Sequence, residues 1–107
     1  MAGRRAAAGA AVYNMTKFGV HAFSEALRQE ALHQGVRVTV VAPGMVDTEL
    51  QGHNHDPVVQ RAMAHSREQI GEVLQPEDIA DAIVHSITRP PHVCVNEVVV
   101  RPTRQAR

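Results

Sequence analysis

The amino-acid sequence predicts part of an α/β protein built on a parallel sheet. Three observations lead there. Apolar residues recur at three-to-four spacing over three separate stretches, the signature of amphipathic helices. Two runs rich in β-branched residues, V-R-V-T-V-V at 36–41 and V-C-V-N-E-V-V-V at 93–100, read as strands. The resulting order, α-β-(loop)-α-α-β, alternates the two kinds of element as parallel sheets do.

Each element can be justified in turn. Over 11–34, Val12, Met15, Gly19, Ala22, Phe23, Ala26 and Leu27 form one side of a helix. Glu25, Arg28, Gln29 and Glu30 take the other, and Gly35 follows as a stop. The strand 36–41 ends in A-P-G, which forces a loop. From Pro43 to His55 turn-forming and polar residues dominate. Pro57 to Ile70 carries a second helical pattern through Val58, Val59, Ala62 and Met63. A third helix starts at Pro76, with Glu77 and Asp78 at the positive end of its dipole, and buries Ile79, Ala82, Ile83 and Ile87. Arg89-Pro90-Pro91 stops it ahead of the second strand. Two parallel strands cannot be covered on both faces by so few elements, so the run V-R-V-T-V-V calls for neighbours beyond this chain.

Composition narrows the function. Of 107 residues, 44% are hydrophobic and 21% charged, with a formal net charge of zero. That balance gives no reason to expect nucleic acid or an anionic membrane as partner. No apolar run approaches the roughly 20 residues of a membrane span, and A-A-A-G-A-A-V is too weakly apolar for a secretory leader. The single cysteine, Cys94, excludes an internal disulfide framework and suits a reducing cytoplasm; it is expected as a small buried side chain in the second strand.

The residues that carry chemistry lie in V-Y-N-M-T-K-F at 12–18. Tyr13 and Lys17, four apart, stack on one helix face. An ammonium beside a phenol favours the phenolate, so such a pair can give a proton to a carbonyl or take one from an alcohol. By itself Tyr-x-x-x-Lys is common, and a partly exposed tyrosine beside a solvated lysine is its ordinary reading. The setting changes the weighting: Y-N-M-T-K is followed by A-L-R-Q-E-A and V-A-P-G-M-V-D-T. Taken together, these segments resemble the short-chain dehydrogenase/reductase family over nearly the whole chain.

The resemblance implies the C-terminal part of a Rossmann-type, doubly wound parallel sheet in three α/β/α layers. It divides residues 1–107 into a catalytic helix at about 11–34, a strand at about 36–41, a substrate lid at about 49–72, and the last helix and strand at about 76–100. It implies that Tyr13 is the catalytic acid/base, and that Lys17 assists it and holds the nicotinamide ribose. Pro43, Gly44 and Val46 would line the nicotinamide, and Thr48 would touch the carboxamide or pyrophosphate side. The implied cofactor is NADP or NAD, with NADP slightly favoured. The implied substrate is a small carbonyl or alcohol, and P-P-H-V-C-V-N-E-V-V-V-R-P-T-R-Q is most similar to the branch acting on small 3-hydroxy acids and serine-like molecules. A homo-oligomer, dimer or tetramer, is implied too, with the long helix, the last strand and the tail in subunit interfaces.

Two family features are not found in the chain: the glycine-rich phosphate loop T-G-x-x-x-G-x-G, and the serine thirteen residues before the tyrosine, a place just upstream of Met1. The expectation is therefore a piece of a longer dehydrogenase; a non-catalytic binding or scaffold subunit that keeps half the fold is the alternative. H-N-H-D at 53–56 offers His53, His55 and Asp56 to a metal, but further ligands lack convincing spacing, and His65 and His85 fall on separate helices, so no metal site is expected. The segment from His53 to Met63 is instead a candidate for shaping substrate specificity. The basic tail R-P-T-R-Q-A-R reads as a solvated end.

Overall fold

The computed structural model describes residues 3–49, 53 and 55–106. Helix α1 spans Ala11–Glu30, strand β1 Val40–Pro43, helix α2 Pro57–Ile70, helix α3 Pro76–Ile87 and strand β2 Glu97–Val100. The strands pair in parallel, with Val40 opposite Glu97 and Pro43 opposite Val100. α3 packs against both strands. The architecture is the α/β one that the sequence pattern implies.

Three element boundaries differ from the sequence reading. The helix expected to reach residue 34 ends at Glu30, because its last turn tightens into a 3-10 turn at Leu32–Gln34. There Gln34 N–H donates to Ala31 O at 3.1 Å, and Gly35 adopts φ 69° to end the turn. The first strand forms over 40–43 rather than 36–41, and the second over 97–100 rather than 93–100. Arg37 explains part of this. Its guanidinium donates to the carbonyls of Ile87, Arg89, Pro90 and Val93 at 2.9–3.3 Å, gathering the turn that leaves α3. The ladder starts only beyond that turn, where Val40 N–H donates to Asn96 O at 3.0 Å. Cys94 accordingly lies ahead of the strand and is exposed, not buried within it.

The excursion from Asp47 to Val73 is closed at its base. Val46 and Leu74 form a parallel bridge. Leu74 N–H donates to Met45 O at 3.0 Å, and Asp47 N–H donates to Leu74 O at 2.8 Å. Within the excursion, Asp56 caps α2 by accepting from Val58 N–H at 2.9 Å, with Pro57 as the first helical residue. Asp78 closes the start of α3 by accepting from Gln75 N–H at 2.8 Å.

The core among the described residues is small: Ala42, Ile70 and Val73 are its buried apolar side chains. The radius of gyration, 15.9 Å, exceeds the ~13 Å of a compact domain of this length. α1 accounts for much of the difference. With about 3.6 residues per turn, Asn14, His21 and Arg28 share the side that meets the rest of the chain. Val12, Met15 and Phe23 point the other way and are 66–71% exposed. The side of α1 that the sequence reading expected to bury is open in this chain.

Candidate active site

Tyr13 and Lys17 lie on α1 along the edge of its inward side. The Lys17 Nζ stands over the Tyr13 ring, 5.4 Å from its centroid, a cation–π arrangement that keeps the ammonium and the phenol together. Both line a cleft of about 200 Å³ whose opposite wall is β1, from Val40 to Pro43; Gly3, Val20 and His21 complete it. The Tyr13 side chain is not sealed in: the residue is 57% exposed. Lys17 and Pro43 are exposed as well.

The cleft runs along the whole of β1 as far as its carboxyl-terminal residue, Pro43. Pro43 ends β1, and Gly44 N–H donates to Val100 O at 2.7 Å, continuing the line of the sheet by one bond. Gly44 is glycine for a steric reason. A Cβ there would stand 2.4 Å from Gln105 Oε1, 3.0 Å from Arg101 Cγ and 3.2 Å from Arg101 Cα. Val46 is half-buried in the bridge to Leu74, and Thr48, two residues on, is exposed. The structure thus brings Tyr13, Lys17 and Pro43 to one cleft. Gly44 and Val46 form the loop leaving it, and Thr48 lies on that loop's outward continuation.

The lid region is partly visible. Residues 50–52 and 54 of the expected lid lie outside the described residues, and α2 is the helix within that region. Arg67 on α2 reaches back to Asp47 at 2.9 Å, so this helix is tied to the loop from Gly44 to Asp47. His53 and His55 are exposed. Among the described residues, no group of three or more His, Cys, Asp or Glu could hold a metal ion. Nor is any helix among them long and apolar enough to cross a membrane.

The tail corrects the sequence reading. Instead of a solvated end, 101–105 turns back onto the chain: Pro102 is buried, Gln105 N–H donates to Pro102 O at 3.0 Å, and Gln105 Oε1 accepts from Met45 N–H at 2.9 Å. Sequence reasoning missed Gln105 because a lone glutamine among arginines carries no periodic signal. Pro102 three residues ahead of it was the one local hint of a turn.

A parallel α/β unit with a cleft that reaches the carboxyl end of a strand is the class of protein this fold describes, and in open sheets ligands bind at that end. Comparison with known proteins makes the class specific. A family model described as short chain dehydrogenase matches residues 1–58, more than half of the chain. The chain belongs to the short chain dehydrogenase family. It is 38% identical over 101 residues to a glycine betaine reductase of Emericella nidulans, covering 94% of this chain and 8% of that protein. It is 40% identical over 95 residues to dehydrogenase/reductase SDR family member 11 of Mus musculus, covering 87% of this chain and 36% of that one. A serine dehydrogenase solved in its closed form with NADP+ superposes with a TM-score of 0.80 at 31% identity, over 100% of this chain and 43% of that chain. The chain therefore spans well under half the length of these relatives.

Proposed function

We propose that the full gene product is an NAD(P)-dependent oxidoreductase acting on a small carbonyl or secondary alcohol, and that Tyr13 is its proton-transfer group. The observation that carries this reading is the cleft that Tyr13 and Lys17 share with β1, from Val40 to Pro43. The residues present suit the nicotinamide end of a dinucleotide. Pro43 ends the strand at the cleft wall, and Lys17 supplies hydrogen-bond donors for ribose hydroxyls beside the phenol. When bound, the nicotinamide supplies or accepts the hydride. Tyr13 Oη gives a proton to the substrate oxygen during reduction and takes it back during oxidation. Lys17, with its ammonium over the ring, stays beside the phenol during that exchange. Pro43, Gly44 and Val46 would hold the nicotinamide side of the cofactor through their backbone, and Thr48 would offer a hydroxyl to its carboxamide or pyrophosphate side.

The likeness to a serine dehydrogenase complexed with NADP+ supports NADP as cofactor and a small 3-hydroxy acid as substrate. The open apolar side of α1 supports self-association, because burying such side chains favours assembly by about 1.5–3 kcal/mol each. The test is a titration of the purified full gene product with NADPH and NADP+, followed by turnover of serine and related 3-hydroxy acids. Tyr13→Phe should keep cofactor binding and lose about 10²–10⁴ in turnover. A phenylalanine variant as active as the parent would refute the assignment. Cofactor binding without turnover of any carbonyl or alcohol would favour a non-catalytic subunit.

A further inference from the structure

We propose that Gln105 is a positioning residue: the terminal turn 101–105 fixes the loop from Gly44 to Asp47 through the Gln105 side chain, and so sets the affinity of the cofactor cleft. The proposal rests on the functional reading above, since it assigns that loop to the nicotinamide side of the cleft.

Four hydrogen bonds hold the loop's backbone. Gly44 N–H is bonded to Val100 O, and the Asp47 backbone is bonded to Leu74. Between them Leu74 N–H donates to Met45 O at 3.0 Å, and the further anchor is Gln105 Oε1, which accepts from Met45 N–H at 2.9 Å across 60 residues of sequence. The anchor is itself fixed. Gln105 N–H closes a turn onto Pro102 O at 3.0 Å, and Pro102 is buried. Arg101 follows β2 directly, so the turn is a continuation of the paired strand and not a free end. The fit is close: a Cβ at position 44 would stand 2.4 Å from Gln105 Oε1, so a side chain there would displace the Gln105 amide. A backbone amide in an ordered loop needs an acceptor. Without Gln105 the N–H of the Gly44–Met45 peptide loses its acceptor, and that peptide can reorient between the bonds at Gly44 N–H and Met45 O, moving Gly44 with it. A loop that must be ordered by the ligand binds that ligand more weakly than one ordered beforehand.

Two variants of the full gene product separate this role from mere filling of space. Gln105→Leu keeps the bulk and removes the acceptor, whereas Gln105→Glu keeps an acceptor at the same reach. Two readouts are needed: NADPH affinity by fluorescence titration, and amide hydrogen exchange at Met45 in cofactor-free protein. The expected result is about a 10-fold loss of NADPH affinity and faster Met45 exchange for leucine, with glutamate within about 2-fold of the parent on both. Circular dichroism matching the parent shows that the leucine variant is folded; should it not fold, the glutamate variant set against Gln105→Ser supplies the same contrast. Leucine binding NADPH as the parent does, or leucine and glutamate losing affinity alike, overturns the proposal while leaving the functional reading intact. A parent protein that binds neither NADPH nor NADP+ overturns the functional reading, and the positioning role with it.

Discussion

Replacing Gly44 by alanine adds one methyl group at a crowded point just past β1, and its cost can be worked from the contacts. The new Cβ would lie 2.4 Å from Gln105 Oε1, 3.0 Å from Arg101 Cγ and 3.2 Å from Arg101 Cα. Relaxed contacts between carbon atoms lie at about 3.5–4.0 Å. The Gln105 amide is a flexible end and can swing away, but Met45 N–H then loses its acceptor, at about 0.5–1.5 kcal/mol. The Arg101 Cα is backbone. Moving it disturbs the terminal turn and the 2.7 Å bond from Gly44 N–H to Val100 O. Overpacking of this kind costs about 1–3 kcal/mol. Together these give about 2–4 kcal/mol.

The assay is urea unfolding of the full gene product followed by circular dichroism, read at unchanged m-value. A double-mutant cycle sharpens it. In a Gln105→Ala background the closest clash is gone and the Met45 acceptor is already lost, so Gly44→Ala should cost less there, with coupling of about 0.5–3 kcal/mol. A Gly44→Ala variant within about 0.5 kcal/mol of the parent, or additive costs in the cycle, would refute the reasoning that the tail and the loop share one space.

Other consequences follow from the same contacts. Arg37→Ala removes the donors that gather four carbonyls after α3. It should cost about 1.5–3 kcal/mol and speed amide exchange at the start of β2, while Arg37→Lys, lacking the planar fork, should recover only part. Asp47→Asn breaks the ion pair to Arg67, both of whose side chains are nearly half exposed. Unfolding should therefore shift by under about 1 kcal/mol, and the shift should disappear in 1 M salt. Glu25 is held down to about 2 by hydrogen bonds from Arg28 and Gln29. A carboxyl whose folded value is depressed adds stability above its unfolded value and loses it as pH falls. Glu25→Gln should therefore flatten the acid limb of the stability profile between about pH 4.5 and pH 2. Glu97, lowered by the hydrogen bond from Arg4, acts with the same sign.

How much of this could be read from sequence depends on the range of the interaction. The helix over 57–70 and the start of α3 at Pro76 were legible because caps, prolines and apolar spacing are local signals. The strand ends were not. A ladder exists only where a partner lies alongside, and Arg37 delays that partner until Asn96. Tyr13 and Lys17 were legible as a pair because i and i+4 share a helix face. Their opposition to β1 depends on how α1 crosses the sheet, which no local pattern encodes. Gln105 is the extreme case: its partner lies 60 residues away, and the residue stands in a run whose composition suggests a free end.

The division of α1 into three sides ties these observations together. A proton-transfer group must be held within a fraction of an ångström of its working position, and helices hold side chains more firmly than loops do. Asn14, His21 and Arg28 direct one side of α1 toward the chain, but these side chains are polar or charged, and α1 makes few contacts with the strands. The apolar side chains that could fix the helix, Val12, Met15 and Phe23 among them, stand on the opposite side. Tyr13 and Lys17 lie between the two. Their alignment to β1 is therefore set by two surfaces at once, the inward polar side and whatever covers the apolar one. Covering the apolar side would restrain rotation of α1 about its axis, the motion that carries Tyr13 toward or away from Pro43. Under the proposed function, self-association on that side would steady Tyr13 through α1 alone, with no need for the covering surface to touch the cleft.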